Sequence, residues 1–94
     1  MEANETDPKR ILGALVATLR RARGMSQGNL SARLGHVRGL SQPVISRIET
    51  GVYLPDAGQL EAVLRAVDAT PLDAKHARDL ALAAVVIDRR MVTA

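Results

Sequence analysis

The chain has 94 residues, of which 47% are apolar, with 13 Lys or Arg against 10 Asp or Glu. This length supports one compact domain, and an apolar set made almost entirely of Ala, Leu, Val and Ile favours packed helices over sheets. The absence of cysteine excludes disulfides and thiolate metal sites and fits a reducing cytoplasm. The polar start MEANETD is no signal peptide, and no apolar run reaches membrane-spanning length.

Charge is distributed unevenly along the chain. The segment 8–48 holds eight basic residues and no acidic one, so all ten acidic residues lie outside it. The eight basic residues are Lys9, Arg10, Arg20, Arg21, Arg23, Arg33, Arg38 and Arg47. Such a concentration predicts a surface that faces a polyanion, although a solvated basic face has the same composition.

The first helix is predicted to begin at Asp7-Pro8, because Asp is a good N-cap and Pro fits the first helical turn. Residues 1–7 before it are polar and acidic, and we expect a disordered arm without a contact role. The helix is expected to end before Gly24. Its apolar stripe has the spacing i, i+3, i+4, i+7 and consists of Leu12, Leu15, Val16 and Leu19.

Two short helices are predicted next, at about 26–34 and 41–50, and each opens on a Ser-Gln pair ahead of an apolar repeat. In the second of them, Ile45 and Ile48 share the inner face. Its outward face then carries amide, hydroxyl and guanidinium groups that suit the base edges of a DNA groove. The residues expected on that face are Gln42, Pro43, Ser46 and Arg47.

A fourth helix is predicted after Asp56, and a fifth from Thr70-Pro71 to about Met91. The middle of the fifth helix, residues 80–87, is apolar on every side, so it has to be covered on every side. We therefore expect a homodimer interface on this helix, formed by Leu80, Ala84, Ile87 and Met91. The alternative is a fifth helix that packs across the first and fourth helices of its own chain.

The segments LRRARGMSQGNLSARLG and LSQPVISRIETGVYLP resemble the Cro and phage-repressor class of helix-turn-helix domains, the xenobiotic-response-element family. The resemblance runs from about Leu12 to about Val67. It implies an all-α, five-helix, lambda-repressor-like fold, with a DNA-binding domain at 8–68 and a C-terminal helix at 69–94. Two features depart from the family: the connection 35–40 is long, and Asn29 replaces a frequent Glu, which predicts a weaker cap on the second helix.

The resemblance also implies roles for single residues. Gln42 follows the capping serine, where family members use the amide to read adenine. Arg47 can take guanine through O6 and N7, and a phosphate contact is its alternative role. In similar domains an arginine of the first helix pairs with the glutamate that ends the recognition helix, which predicts an ion pair between Arg20 and Glu49.

Phosphate contacts are expected from polar residues around these two helices: Ser26, Gln27, Arg38, Ser41 and Tyr53. The two serines can serve equally as caps, and Tyr53 can instead be a core ring with a solvated hydroxyl. His36 and His76 lie forty residues apart without ligand spacing, and no nucleophile or carboxylate pair is recognisable. We therefore expect no metal, no cofactor and no enzymatic activity.

Together these patterns predict a transcriptional regulator, most simply a repressor, that binds a palindromic operator in double-stranded DNA as a homodimer. It would act in the cytoplasm, on the nucleoid, with no membrane partner. Two other functions remain open. One is an antitoxin that joins DNA binding to toxin capture through its fifth helix, and the other is a protein-interaction adaptor on the same fold.

Overall fold

The computed structural model describes the backbone of residues 7–93 and the side chains of residues 7–88. Across this range it consists of α-helices and turns, without a β-strand: α1 (Pro8–Ala22), α2 (Gln27–Arg33), α3 (Gln42–Glu49), α4 (Ala57–Ala66) and α5 (Pro71–Thr93). The all-α, five-helix prediction is confirmed. The arm predicted at 1–7 falls, apart from Asp7, outside the described residues. None of the described helices combines the length and the apolar character that a membrane crossing needs.

The helices begin where the capping residues predict. Asp7 caps α1, and Asp56 forms a reciprocal capping box with Gln59 at the start of α4. A complete capping box also stands at the start of α2. The backbone N–H of Asn29 donates to Ser26 Oγ at 3.0 Å, and the backbone N–H of Ser26 donates to Asn29 Oδ1 at 3.1 Å. The shorter side chain of Asn29 thus still reaches the Ser26 backbone, and a cap weaker than one with Glu stays a prediction.

The core lies between the first four helices and is closed by the inner face of α5. Its largest fully buried side chains are Leu12, Val16, Leu30, Leu34, Ile45, Ile48, Val63 and Val67. Burying one such side chain contributes roughly 1.5–3 kcal/mol. The two isoleucines therefore anchor α3 by its inner face and leave its outer face to solvent.

A glycine allows α1 to approach the end of α3 closely. A Cβ atom at Gly13 would strike the backbone carbonyl oxygens of Ile48 and Glu49. Glycine inside a helix costs about 0.5–1 kcal/mol relative to alanine. The close approach of the two backbones, rather than helix propensity, therefore accounts for this residue.

The inner face of α5 packs on the bundle of its own chain, mainly on α1. Ala84 is 2% exposed and Leu80 is half-buried against the core. Both residues therefore pack against their own chain, which agrees with the alternative of a fifth helix across α1. The homodimer interface expected at Leu80, Ala84, Ile87 and Met91 stays a prediction. Ile87 is 40% exposed, whereas the side chain of Met91 lies outside the described residues.

Candidate nucleic-acid interface

The outward face of α3 brings the four predicted base-reading residues together. Gln42, Pro43 and Arg47 are exposed and Ser46 is half-buried. The Gln42 Oε1 atom lies 3.6 Å from the place that a Cβ on Gly28 would occupy. The amide of Gln42 therefore lies beside the first turn of α2, where the two short helices meet.

The two N-cap serines differ in how their hydroxyls are used. Ser26 Oγ accepts the capping hydrogen bond of α2. Ser41 is the N-cap of α3, but its side chain makes no capping hydrogen bond and is exposed. The Ser41 hydroxyl is therefore free for a ligand, and the Ser26 hydroxyl keeps its proton for donation.

Arg20 of α1 and Glu49, the last residue of α3, form a bidentate ion pair. Arg20 Nε lies 2.6 Å from Glu49 Oε2, and Arg20 Nη2 lies 2.9 Å from Glu49 Oε1. The side chains are only 8% and 5% exposed. A third hydrogen bond, from Arg20 Nη1 to the Met25 carbonyl at 2.7 Å, fixes the guanidinium group against the loop before α2. The pair thereby sets the C-terminal end of α3 against α1.

Opposing effects act on the Glu49 carboxyl group. Burial by itself raises the pKa of Glu49, but the hydrogen bonds from Arg20 and Gln27 and the charges of Arg20 and Arg21 outweigh it, so the net pKa lies below its ordinary value. The hydrogen bond to Glu49 likewise raises the pKa of Arg20. At neutral pH the carboxylate is thus ionised and compensated, and it adds no unpaired negative charge next to α3.

Two residues expected to contact phosphate are engaged inside the protein. Gln27 Nε2 donates to Glu49 Oε1 at 2.9 Å, which leaves one amide proton of Gln27 for a ligand. The Tyr53 hydroxyl donates to Gln59 Oε1 at 2.9 Å, so its one proton is already used within the protein. Sequence reasoning missed both contacts, because each joins residues that no local pattern relates.

Two arginines without an ion-pair partner lie at the outward face of α3, one on the helix and one in the turn before it. Within the described part of the chain, the guanidinium groups of Arg38 and Arg47 have no carboxylate partner, whereas those of Arg20, Arg23 and Arg78 do. Arg38 lies in the turn before α3, and Arg47 lies in its last turn. Both are exposed, so both can meet an anionic ligand without first breaking an ion pair.

Two short helices joined by a turn, the second with an exposed polar face and an ion pair behind it, define a helix-turn-helix domain. Residues 11–77 match the protein family described as a helix-turn-helix domain. The chain belongs to this family, in its Cro and phage-repressor type. Comparisons with curated proteins and with solved structures find no match.

Membership of this family indicates a DNA-binding regulator. Domains of the family are typically not enzymes. Over the residues that the structure describes, no group of three or more His, Cys, Asp or Glu side chains is placed to hold a metal ion.

Proposed function

We propose that this protein is a sequence-specific transcriptional regulator, most simply a repressor, that binds double-stranded DNA with α3 in the major groove. The observation that carries the proposal is the exposed, acid-free face of α3, which includes the unpaired guanidinium group of Arg47 and is preceded by that of Arg38 in the turn. The major groove accommodates an α-helix and displays a distinct pattern of donors and acceptors for each base pair. Arginines without a carboxylate partner can then contact the phosphates on either side of the groove.

Within this proposal, Gln42 reads adenine and Arg47 reads guanine, each by two hydrogen bonds that discriminate by roughly 1–3 kcal/mol. Pro43 and Ser46 complete the face that meets the bases. Phosphates are met by Arg38 and the free hydroxyl of Ser41 on the α3 side. On the α2 side they are met by the Ser26 hydroxyl and the remaining amide proton of Gln27.

Selection of bound duplexes from a random pool tests this function and yields the operator. With the operator known, Arg47→Ala should relax specificity at one base pair per half-site. Arg38→Ala should weaken all duplexes alike and lower the salt dependence by about one phosphate contact. Lys75→Ala is the matched control, because Lys75 is exposed on α5 and already paired with Asp79 at 2.9 Å.

Equal base preferences and equal salt slopes for Arg47→Ala and Arg38→Ala would refute the division between base reading and phosphate contact. If Lys75→Ala lowers the affinity for DNA as much as Arg47→Ala and Arg38→Ala do, the losses come from net charge and not from the position of the residue. A folded protein that ignores heparin and random duplex at low salt would overturn DNA binding itself. That result would favour the adaptor function.

We also propose that the regulator acts as a homodimer through the outer face of α5. Leu82 is 66% exposed and Val86 is 47% exposed, and Ile87 extends this apolar face. An adjoining groove of about 370 Å³ between the start of α4 and the middle of α5 is lined by Leu60, Leu82 and Val85 among other residues. Exposed apolar surface of this kind marks a protein contact site in soluble proteins.

A second copy is the occupant that the surrounding charges favour. Two ion pairs lie beside the apolar face, Lys75 with Asp79 and Arg78 with Glu61. Two copies can therefore approach through α5 without the repulsion that two basic α3 faces would cause. A two-fold dimer binds a palindromic operator whose half-sites lie about 34–36 Å apart, one helical turn of DNA.

Sedimentation of the purified chain tests the dimer. Val86→Asp should give a folded monomer. Leu72→Asp is the control, because Leu72 is also exposed on α5 but lies fourteen residues away. A wild-type monomer would overturn the homodimer and favour the antitoxin, in which the same face binds a toxin.

A further inference from the structure

Gln59 is a buried amide that links three segments of the chain, and it is only 7% exposed. Its Nε2 donates to the Arg38 carbonyl oxygen at 3.2 Å. Its Oε1 accepts from the Tyr53 hydroxyl at 2.9 Å and from the Asp56 amide N at 3.0 Å. An amide oxygen has two lone pairs, so Oε1 is fully used.

The links made by Gln59 lie on both sides of α3. Arg38 belongs to the turn that precedes α3, and Tyr53 belongs to the connector that follows it. Gln59 therefore ties both connections to the first turn of α4. Because a buried amide N–H left without its acceptor is costly, this network favours the conformation of the long turn in which the Arg38 carbonyl meets Gln59.

Gly39 is matched to Gln59 in two ways. Its φ of +83° lies in the left-handed region that side chains rarely adopt. A Cβ atom at this position would also lie 2.9 Å from Gln59 Nε2. Glycine thus reverses the chain directly after Arg38 and leaves room for the amide that holds the Arg38 carbonyl.

We propose that Gln59 is a positioning residue for DNA binding, which holds Arg38 where its guanidinium group meets a phosphate beside α3. The inference rests on the proposed function. Without the link, residues 36–40 have to become ordered when DNA binds, so every duplex is bound more weakly. Base preference should persist, because Ile45, Ile48 and the Arg20–Glu49 pair anchor α3 independently of Gln59.

Two substitutions test this role. Gln59→Met removes the three side-chain links with little change of length and no change of charge. Gln59→Glu keeps an oxygen for Tyr53 and Asp56 but replaces the N–H group that the Arg38 carbonyl accepts. Val63→Ala is the matched control, since Val63 is buried one turn further along α4 and its loss lowers stability without altering the turn.

Gln59→Met should change hydrogen exchange in the turn and the affinity for DNA more than Val63→Ala does. In Gln59→Met, amides 36–40 should exchange faster relative to α1 than they do in Val63→Ala. The dissociation constants for operator and random duplex should both rise about tenfold, which corresponds to ordering about one more backbone residue within 36–40 when DNA binds. The salt dependence should fall by about one phosphate contact, while base preference stays as in the wild type.

A double-mutant cycle shows whether Gln59 acts through Arg38. Arg38→Ala should weaken binding less in the Gln59→Glu background than in the wild type, and the comparison cancels the added charge. If Gln59→Met folds poorly, the cycle built on Gln59→Glu still tests whether Gln59 acts through Arg38. Tyr53→Phe, which spares the Arg38 link, should bind DNA within about twofold of wild type, well below a tenfold step in affinity.

The inference alone is overturned if the wild type binds DNA and Gln59→Glu leaves the effect of Arg38→Ala unchanged. It is also overturned if Val63→Ala weakens binding as much as Gln59→Met, since the effect is then one of stability. A wild-type protein that binds no DNA overturns the proposed function together with it. The two failures are therefore distinguishable.

Discussion

Two ion pairs of nearly identical geometry occur at different depths in this protein, which allows the effect of burial to be measured. In the Arg78–Glu61 pair, the Nε–Oε2 and Nη2–Oε1 distances are 2.6 and 3.0 Å. The corresponding distances in the Arg20–Glu49 pair are 2.6 and 2.9 Å. The exposed fractions are 52% and 38% for the first pair against 8% and 5% for the second. Glu49→Gln and Glu61→Gln therefore remove the same contact in different surroundings.

Glu49→Gln leaves a buried arginine without its counter-charge. Breaking a buried pair costs about 3–5 kcal/mol. Because glutamine can still accept one hydrogen bond from Arg20, we expect a smaller loss, about 2–3 kcal/mol. A domain of this size has a free energy of unfolding of roughly 5–14 kcal/mol. A loss of about 2–3 kcal/mol then lowers the Tm by roughly 10–20 °C.

Thermal unfolding followed by circular dichroism at neutral pH measures this difference. Glu61→Gln should unfold close to the wild-type temperature, because exposed pairs contribute little to stability. Equal decreases in the two variants would refute the argument that burial determines the contribution. A Glu49→Gln protein with wild-type Tm would show that the pair only orients α3 and does not stabilise the fold.

Three further predictions concern stability. Because folding lowers the pKa of Glu49, its contribution is present above the ordinary value of 4.5 and is lost as the pH falls through the folded value. The free energy of unfolding of the wild type, measured in urea, should thus decrease as the pH falls below 4.5, more steeply than in Glu49→Gln; parallel profiles would contradict this. Gly13→Ala should lower the Tm although alanine favours helix, because overpacking α1 against α3 costs about 1–3 kcal/mol; a raised Tm would rule out the close approach. Ser26→Ala should lose about 1 kcal/mol of unfolding free energy, while Ser41→Ala should lose little, because only Ser26 makes a capping hydrogen bond. Equal losses in urea would contradict that distinction.

The helices could be predicted from the sequence because their signals are local. Asp7, Ser26, Ser41 and Asp56 all stand as N-caps in the structure, as expected. The outward face of α3 followed from the spacing of Ile45 and Ile48, for which burial on one side leaves the other side exposed. Neither inference needs knowledge of what the helix packs against.

The orientation of α5 could not be predicted in the same way. Residues 80–87 are apolar around the whole helix, so periodicity does not distinguish the side that meets the bundle. In the structure the small residues Ala77 and Ala84 face inward, where they permit close packing, and the larger Leu82 and Val86 face outward. Side-chain volume at the contact with the bundle, rather than hydrophobicity, distinguishes the two faces.

The polar contacts around the candidate site were only partly predictable. The Arg20–Glu49 pair was expected from the family resemblance, whereas the bond from Gln27 to Glu49 was not. Gln59 forms the capping box of α4 with Asp56, yet its side chain also reaches Arg38, 21 residues earlier in the chain. Such contacts depend on the tertiary packing of α2, α3 and α4, which no short sequence pattern encodes.

Two polar networks of different chemistry lie at the two ends of α3, the candidate recognition helix. At its C-terminal end, the Arg20–Glu49 pair depends on an ionised carboxylate, so its strength changes with pH. Before the N-terminal end of α3, the turn is linked to Gln59 of α4, whose side chain is a neutral amide that does not titrate. Because a buried charge needs a partner and a buried amide needs only hydrogen bonds, the first network is the more costly one to leave half-formed. The neutral link therefore suits the long turn, whose arginine we propose to meet a phosphate, and the charged link suits the helix end that packs on α1.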